Sequence, residues 1–516
     1  MIHSAQSASI EGAAAPSVGA APPATRLQSL DAARGFALLG IFAVNAAFFA
    51  KPIGDVLAQT VPDGISAAEQ GIWYFVHIFC TGKFYPLFSL MFGYGLTLQM
   101  ERRRKAGRGI AGVGVRRLLF LAAVGLCHAL LIWHGDILFL YGMLGLLLLP
   151  FTGCKARTLA IVAVVFFAIS ALTGAGMGLL DSMKPPPAEA SSSSSEVLSA
   201  TDLPADDAAK DSSVATNVPA ATTELVTTPT TPTSPTTPTS PVSDPTSSPA
   251  SSSTIPSVSA ASPSLPSPST PSSRLFEGFE SGTVQDPAHL IWRENEIIAM
   301  RDGPYAEALI FRSLSWVMLI VVSLVHIGWH IFAMFCLGAL LAKISFLGER
   351  WTATRWSVGV LGLPLALLLS GIITVLTNSE PGAMGKMGIF AINPIVWSLT
   401  SLGYLCLVSV VVAKFRRFGN ALANVGRMAF TNYLMQSIIA TGLMYHWGLG
   451  LFGSVGYVWL AVMVVVIYAL QVVFSNLWLS YFQFGPLEWV WRSVTYLRLP
   501  LMRRGAGSGA RAGSTE

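Results

Sequence analysis

Three ionisable residues, His128, His134 and Asp136, stand close together within one apolar stretch, RRLLFLAAVGLCHALLIWHGDILFLY (116–141). The stretch reads as the end of one membrane span, a turn of a few residues and the start of the next. A charge at bilayer depth costs roughly 2.5 to 3.5 kcal/mol on insertion scales, so an intramembrane His or Asp marks a functional site by default. His128 lies about two helical turns before Asp136. An imidazole that reaches a carboxylate could act as the base, oriented by that acid, for acyl transfer to a hydroxyl. The same pair could carry protons in a coupled transporter. The plain structural alternative is that Asp136 caps the helix beginning at Ile137 while His128 bonds to a neighbouring helix.

Other polar residues fall at the ends of apolar runs. Asp31 and Arg34 are three apart and share a helix face, where they could meet an anionic donor or pair with each other. Asn45 lies about 16 Å further along the same helix, too far to share one small site with Arg34. Arg116 and Arg117 follow the basic loop 101–109 (ERRRKAGRG) and join the candidate donor-binding set. His77, Lys83 and Tyr85 are expected to open the second span from the outer side. There His77 and Lys83 could contact substrate, or Lys83 could snorkel outward. His326 and His330 are one turn apart, a spacing that suits a metal, but no acidic or Cys partner stands at a useful distance, and no metal is expected. Cys80, Cys127, Cys154, Cys336 and Cys406 lack CxxC spacing and imply neither a metal site nor a disulfide framework. Asn432, Tyr433 and Gln436 give one span a polar face of the kind that knits membrane helices together. Glu488 and Arg492, among Trp489 and Trp491, read as a helix anchored at the headgroup level.

The elements that must position these residues follow from composition. Of 516 residues 52% are hydrophobic and only 11% charged, with a mean hydropathy of +0.58, whereas soluble domains carry about 25% charged residues. The expected fold is an all-α, polytopic integral membrane helix bundle of about ten transmembrane helices. At about 20 apolar residues per span, the spans fall near 33–50, 76–100, 116–134, 137–153, 158–180, 311–342, 357–376, 392–413, 424–446 and 455–480. Residues 309–341 could hold one steep span or two broken at Gly328; one span, kinked around His326, Gly328 and His330, fits the loop charges.

Lys and Arg cluster in alternate short loops, which sets topology rather than offering a surface for nucleic acid, and the net charge of +5 adds nothing to that. The positive-inside rule puts both termini in the cytoplasm of a bacterium, with the chain multi-pass in the inner membrane. The first two dozen residues have neither the charged nor the apolar region of a signal peptide, so the first span is expected to act as its own insertion signal. The chain then divides into a disordered cytoplasmic tail (1–25), an N-terminal membrane half of five spans (26–183), a Ser/Thr/Pro-rich extracytoplasmic loop (184–273), an amphipathic extracytoplasmic segment (274–308), a second membrane half with an interfacial helix (309–498) and a cytoplasmic tail (499–516). The loop, with TTPTTPTSPTTPTSP and several Ser runs, is too poor in apolar side chains to offset the entropy of ordering.

The stretches LDAARGFALLGIFAVN (30–45), RRLLFLAAVGLCHALLIWHGDILFLYG (116–142), GRMAFTNYLMQS (426–437) and FGPLEWVWRSVTY (484–496) together resemble the YeiB-like membrane family. The first span also resembles the wider transmembrane acyltransferase superfamily. Such proteins move an acyl group from a cytoplasmic donor, often a coenzyme A thioester, to an acceptor at the outer face. Many carry an Arg, ten intervening residues and a His that serves as base. Here Arg34 is followed by ten residues and then Asn45. An amide takes no proton at neutral pH, so Asn45 could orient a substrate but not act as base. A branch resembling the lysosomal heparan glucosaminide acetyltransferase also has Asn there, with its His shortly downstream; in this chain the next His is His77.

The resemblance implies an acyltransferase using acyl-CoA as co-substrate, with no bound cofactor and a glycan or lipid acceptor. His128, Asp136 and Asn45 would be catalytic, and Arg34, Asp31, Arg116, Arg117, His77 and Lys83 would hold donor or substrate. The alternative is a proton-coupled transporter or flippase of a small or lipid-linked substrate. The missing His of the first span and the lack of a nucleotide motif favour it. The sequence leaves the oligomeric state open.

Overall fold

A computed structural model describes residues 28–183, 287–379 and 381–504. The expected N-terminal tail, the Ser/Thr/Pro-rich loop and most of the C-terminal tail lie outside the described residues. Within them the chain is helical: α1 (Gln28–Ala50), α2 (Ile53–Leu57), α3 (Ala67–Phe79), α4 (Phe84–Lys105), α5 (Ala111–Leu131), α6 (Leu138–Phe151) and α7 (Ala156–Ser182) come first. After the undescribed stretch come α8 (Pro287–Arg301), α9 (Tyr305–Val322), α10 (Gly328–Lys343), α11 (Thr352–Ser357), α12 (Leu363–Thr377), α13 (Ala383–Lys414), α14 (Arg416–Arg427), α15 (Ala429–Met444), α16 (Tyr457–Tyr481) and α17 (Pro486–Tyr496). No strand occurs among the described residues; one isolated bridge joins Phe482 and Arg503.

Eight elements are long and apolar enough to cross a membrane, among them the joined pairs Ala67–Lys105, Tyr305–Lys343 and Glu349–Thr377. Helix α6, with 14 residues, is apolar but shorter, and α15 has 16 residues, so eight full-length candidate spans stand among the described residues where about ten were expected. The all-α membrane bundle expected from composition is therefore present. Leu172, Leu365, Val465 and Leu470 face outward, as side chains do where hydrocarbon is the solvent. Helix α1 is the central column, packed on α4, α13, α14, α15 and α16. A methyl group on Gly35 would land on the Leu422 carbonyl, and one on Gly426 on the Asp31 carbonyl, so α1 and α14 touch backbone to backbone. Small residues allow this close approach, the usual means of packing helices in lipid.

The basic loops gather at one end of the bundle. Lys343 pairs with Glu101 at 2.7 Å, Arg104 donates to Thr152 O, and Gln28 near the first helix's start bonds to Asn420. At the opposite end Val61 N–H donates to Asn378. There α8 is clamped over the bundle: Arg293 pairs with Asp55 at 2.9 Å, Glu296 accepts the Ile53 N–H, and Met300 O accepts the His446 N–H.

Residues 305–343 form one continuous pass, interrupted only by a π-helical turn at Ser323–Ile327 just before Gly328. The single-span expectation holds. Two other expectations need correction. The ninth span does not run from 424 to 446: the chain bends at Met428, separating amphipathic α14 from α15. The buried Glu488 fixes that bend by accepting the Phe430 and Thr431 N–H groups and the Thr431 hydroxyl, which satisfies the first turn of α15.

The second span, likewise, does not open at His77. It begins at Ala67 with a capping box between Ser66 and Glu69 and breaks at 80–83, where Gly82 takes φ +77. A break in lipid strands backbone carbonyls. Four side chains take them up: Lys83 Nζ donates to His77 O at 2.7 Å, Ser370 to Ile78 O, Tyr404 to Phe79 O and Ser401 to Lys83 O. Lys83 is buried and does not snorkel outward, because its ammonium caps the C-terminal end of α3.

Two outcomes follow for purified protein in detergent. Lys83→Met leaves the His77 carbonyl unpaired in an apolar setting and is expected to cost about 1–3 kcal/mol, read as a lowered unfolding midpoint; a midpoint equal to wild type would remove Lys83 from the cap. The second outcome concerns pH. Burial pushes the Glu296 carboxyl up from 4.5 to about 8, Asp55 adds to this, and the Ile53 N–H and Arg293 oppose it; Tyr445 is its other titratable neighbour. The fold favours the protonated acid. Its contribution is therefore complete below the ordinary value of 4.5 and is lost as pH rises through about 8. The unfolding midpoint should fall between about pH 4.5 and about pH 8 and level off above, and Glu296→Gln should flatten that fall. An unchanged slope in the Gln variant would assign the pH dependence elsewhere.

Candidate functional site

Helices α5 and α6 form a tight hairpin joined by residues 132–137. Gly125 makes the closeness possible, since a methyl there would strike the Phe139 nitrogen and stand 2.6 Å from Asp136 Oδ2. The hairpin brings His128, in the last turn of α5, against Asp136. Nδ1 of His128 donates to Asp136 Oδ1 at 2.9 Å, and the two side chains are 1% and 0% exposed. Asp136 Oδ2 accepts the Phe139 N–H at 2.8 Å. One carboxylate thus performs both tasks that the sequence suggested as alternatives, orienting the imidazole and capping α6.

With Nδ1 committed to Asp136, Nε2 of the neutral ring carries the lone pair. That nitrogen is buried and finds no partner among the described residues. The rings of Trp133 and Tyr433 stand 6.2 and 5.4 Å away. The geometry is that of an imidazole oriented by a carboxylate with its second nitrogen left open, an arrangement able to take up a proton. Asn45 is half-buried on α1. It shares a helical stripe with Phe42 and Phe49, and Phe49 lies 4.1 Å from the Trp133 ring. His134, in the turn itself, is held neutral: burial, reinforced by the positive charge of Arg312, pushes its imidazole down to about 3.

The cationic candidates meet at the basic end. Arg34 Nη1 pairs with Asp31 Oδ1 at 2.9 Å and its guanidinium passes over Gly95 of α4. The Arg117 guanidinium lies 3.9 Å from the Trp491 ring, while Trp491 Nε1 donates to Arg117 O. Arg116 donates to Thr495 O. Arg117 stands near enough to Arg34, to Arg492 and to Tyr496 to feel the charge of each, and Gln99 donates to the Tyr496 hydroxyl. Helix α17 therefore supplies Arg492, which the sequence marked only as part of an interfacial anchor, and Tyr496, which it did not single out, to this cluster.

His77 and Lys83 belong to a third place. A cavity of about 530 Å³ runs between α1, α3 and α16, walled by apolar residues such as Phe36, Val44, Phe48, Val76 and Val464. Near His77, Thr81 and Gln59 it adjoins a polar niche of about 30 Å³ that includes Lys83, Asn378 and Asn393. The His77 ring stacks on Trp73 at 3.5 Å and its Nδ1 donates to Trp73 O.

The remaining polar residues make structural contacts. His330 accepts from Tyr85 and donates to Ser398, both at 2.7 Å, a direction set by Ser398 donating onward to Pro394 O. His326 turns to Thr173 on α7, so the two histidines do not converge. Gln436 bonds to Gln471, and Asn432 to Ser475, knitting α15 to α16.

Residues 338–498 match the family described as Protein of unknown function (DUF418). The uncharacterized protein YxaH of Bacillus subtilis (strain 168) is 29% identical over 92% of this chain and 94% of its own length. The uncharacterized protein YeiB of Escherichia coli (strain K12) is 24% identical over 90% of this chain and 95% of its own. An uncharacterized 39.9 kDa protein of Bacillus acidopullulyticus shares 39% identity over 110 residues, 21% of this chain and 30% of its own. The resemblance to YeiB-like membrane proteins is borne out. No solved structure matches the chain.

Proposed function

With YeiB-like relatives along 90% of the chain, we propose that this membrane protein is an acyltransferase that carries an acyl group across the bilayer to a glycan or lipid hydroxyl. The supporting observation is the buried His128–Asp136 pair with its free Nε2. In the proposed step the acceptor oxygen attacks the thioester carbonyl while Nε2 of His128 takes the hydroxyl proton. The carbon–sulfur bond then breaks, and the imidazolium returns the proton to the departing thiolate. Asp136 holds the ring and offsets the imidazolium charge. Asn45 orients the acceptor. The donor's anionic headgroup sits at Arg34, Arg117 and Arg492, and an extended donor arm covers the distance along α1, about 16 Å from Arg34 to Asn45. Charge asymmetry supports a bacterial inner-membrane location with the basic end and both termini in the cytoplasm.

One observation favours a second reading. The apolar cavity between α1, α3 and α16, with its polar niche, has the volume and lining for part of a lipid, which a transporter or flippase of a lipid-linked substrate would use. In that reading His128 and Asp136 relay protons.

Equilibrium binding of acetyl-CoA and longer acyl-CoAs to the detergent-purified chain separates the two. For the acyltransferase, Arg34→Ala should weaken donor binding by about tenfold or more, the loss expected of a hydrogen bond to a charged group. His128→Ala should bind donor normally yet slow thioester loss to added membrane glycolipid by roughly 10²-fold or more. Absence of saturable acyl-CoA binding by the wild type would sink the acyltransferase and leave the transporter.

A further inference from the structure

Beyond the hairpin turn lies a buried cation that no acidic side chain pairs with. Arg312, about two turns into α9, is completely buried. Its Nε donates to Leu130 O at 3.3 Å, on the turn of chain before His134, and its guanidinium lies 4.8 Å from the Tyr305 ring. Neither Nη1 nor Nη2 reaches an acceptor in full hydrogen-bond geometry among the described residues; the neutral Tyr305 hydroxyl is the side-chain oxygen within the guanidinium's reach, and it leaves the positive charge uncompensated. The neighbours are orphaned as well: both ring nitrogens of His134 and the Tyr445 hydroxyl are buried without hydrogen-bond partners. The charges of Arg312 and His134 act on each other, as do those of Arg312 and Tyr445, so the three groups share one locality.

An unpaired buried guanidinium is costly, because its desolvation goes uncompensated. The two acids of the region do not relieve it. Asp136 is bound to His128 and the Phe139 N–H, Glu296 is turned to the Ile53 N–H, and neither forms an ion pair with Arg312. Several donors around one uncompensated positive charge describe a receptor for an oxyanion. Arginine suits it by geometry, since its two terminal nitrogens match a carboxylate or phosphate in a fork.

We propose that Arg312, with Tyr445 and His134, binds an oxyanion, a carboxylate or a phosphate, carried by the molecule that this end of the protein handles. This deepens the acyltransferase reading by making the acceptor anionic, and it rests on that reading only for the word acceptor. The anion would be held beneath α8, close to the His128–Asp136 pair, so that binding places a hydroxyl of the same molecule near the base.

The test uses the full chain in detergent, with thermal unfolding followed by tryptophan fluorescence. Inorganic phosphate and acetate are titrated separately against chloride at matched ionic strength. A saturable rise in midpoint is expected with at least one of the two, and which one it is identifies the oxyanion. Arg312→Met should abolish the response. Tyr445→Phe, which removes one hydroxyl and keeps the ring, should raise the half-saturating concentration several-fold and remains informative if Arg312→Met fails to fold. No saturable response in wild type, or an undiminished one in both variants, overturns the anion site. His128→Ala separates the two ideas: an intact anion response with transfer lost upholds both, whereas an anion response in a wild-type protein that never transfers acyl groups upholds the site and removes the acyltransferase.

Discussion

In hydrocarbon no water takes up a stray donor or acceptor, and the backbone of this bundle answers to that constraint. Its consequences are visible wherever the helices depart from regularity. The break at 80–83 survives because Lys83, Ser370, Tyr404 and Ser401 each take a carbonyl of the interrupted segment. The bend at Met428 survives because Glu488 takes the free N–H groups of α15. Side chains from distant parts of the chain are needed for each repair, so the repairs also fasten α3 to α12 and α13, and α15 to α17. Irregular backbone and long-range cohesion have the same cause here.

Against that background the unpaired groups at the end away from the basic loops stand out. Among the described residues Nε2 of His128, both nitrogens of His134, the Arg312 termini and the Tyr445 hydroxyl are all buried and unsatisfied. Other buried polar atoms lack partners elsewhere in the bundle, but here four such side chains gather around one hairpin end. Apolar replacement of buried polar sets is often neutral or stabilising, so packing alone does not call for them, and their clustering is what supports the proposed anion site. The apolar cavity lies on another face of α1, lined by Phe36, Ala43, Val44 and Ala47, whereas Phe42 and Phe49 on the opposite stripe pack with Trp133. The central helix therefore separates a lipid-like compartment from a polar one.

Much of this was legible in the sequence, and the reasons for the rest are specific. Span positions followed from hydropathy, and the His128–Asp136 contact followed from eight residues of spacing across an obvious turn. The role of Lys83 did not follow. A lysine near a presumed span end looks like a snorkelling residue, and only the position of Gly82 hints that a helix stops there and leaves carbonyls to cap. The bend at Met428 was hidden because α14 and α15 abut without Pro or Gly between them. Arg492 was read as part of an anchor and Tyr496 was not singled out, because their neighbours Arg117 and Gln99 lie almost four hundred residues away, a proximity that periodicity does not carry. Arg312 was absorbed into a long apolar run, although a lone Arg eight residues into a span was itself a signal.

Two short helices have their ends at the unsatisfied cluster. At 1.5 Å per residue α6 is about 21 Å long and α15 about 24 Å, against a hydrocarbon core of about 30 Å. Helix α6 begins at the hairpin turn with Asp136 just before it, and α15 ends where Tyr445 begins. Lipid cannot cover helix termini without leaving them unsolvated, so protein must. Helix α8 does so at this end, fixed on one side to α2 through Arg293 and Glu296 and on the other to the 445–456 segment through Met300. Its Trp292 packs on the ring of Phe311, the residue before Arg312, so the helix that covers the hairpin end also helps to bury that guanidinium.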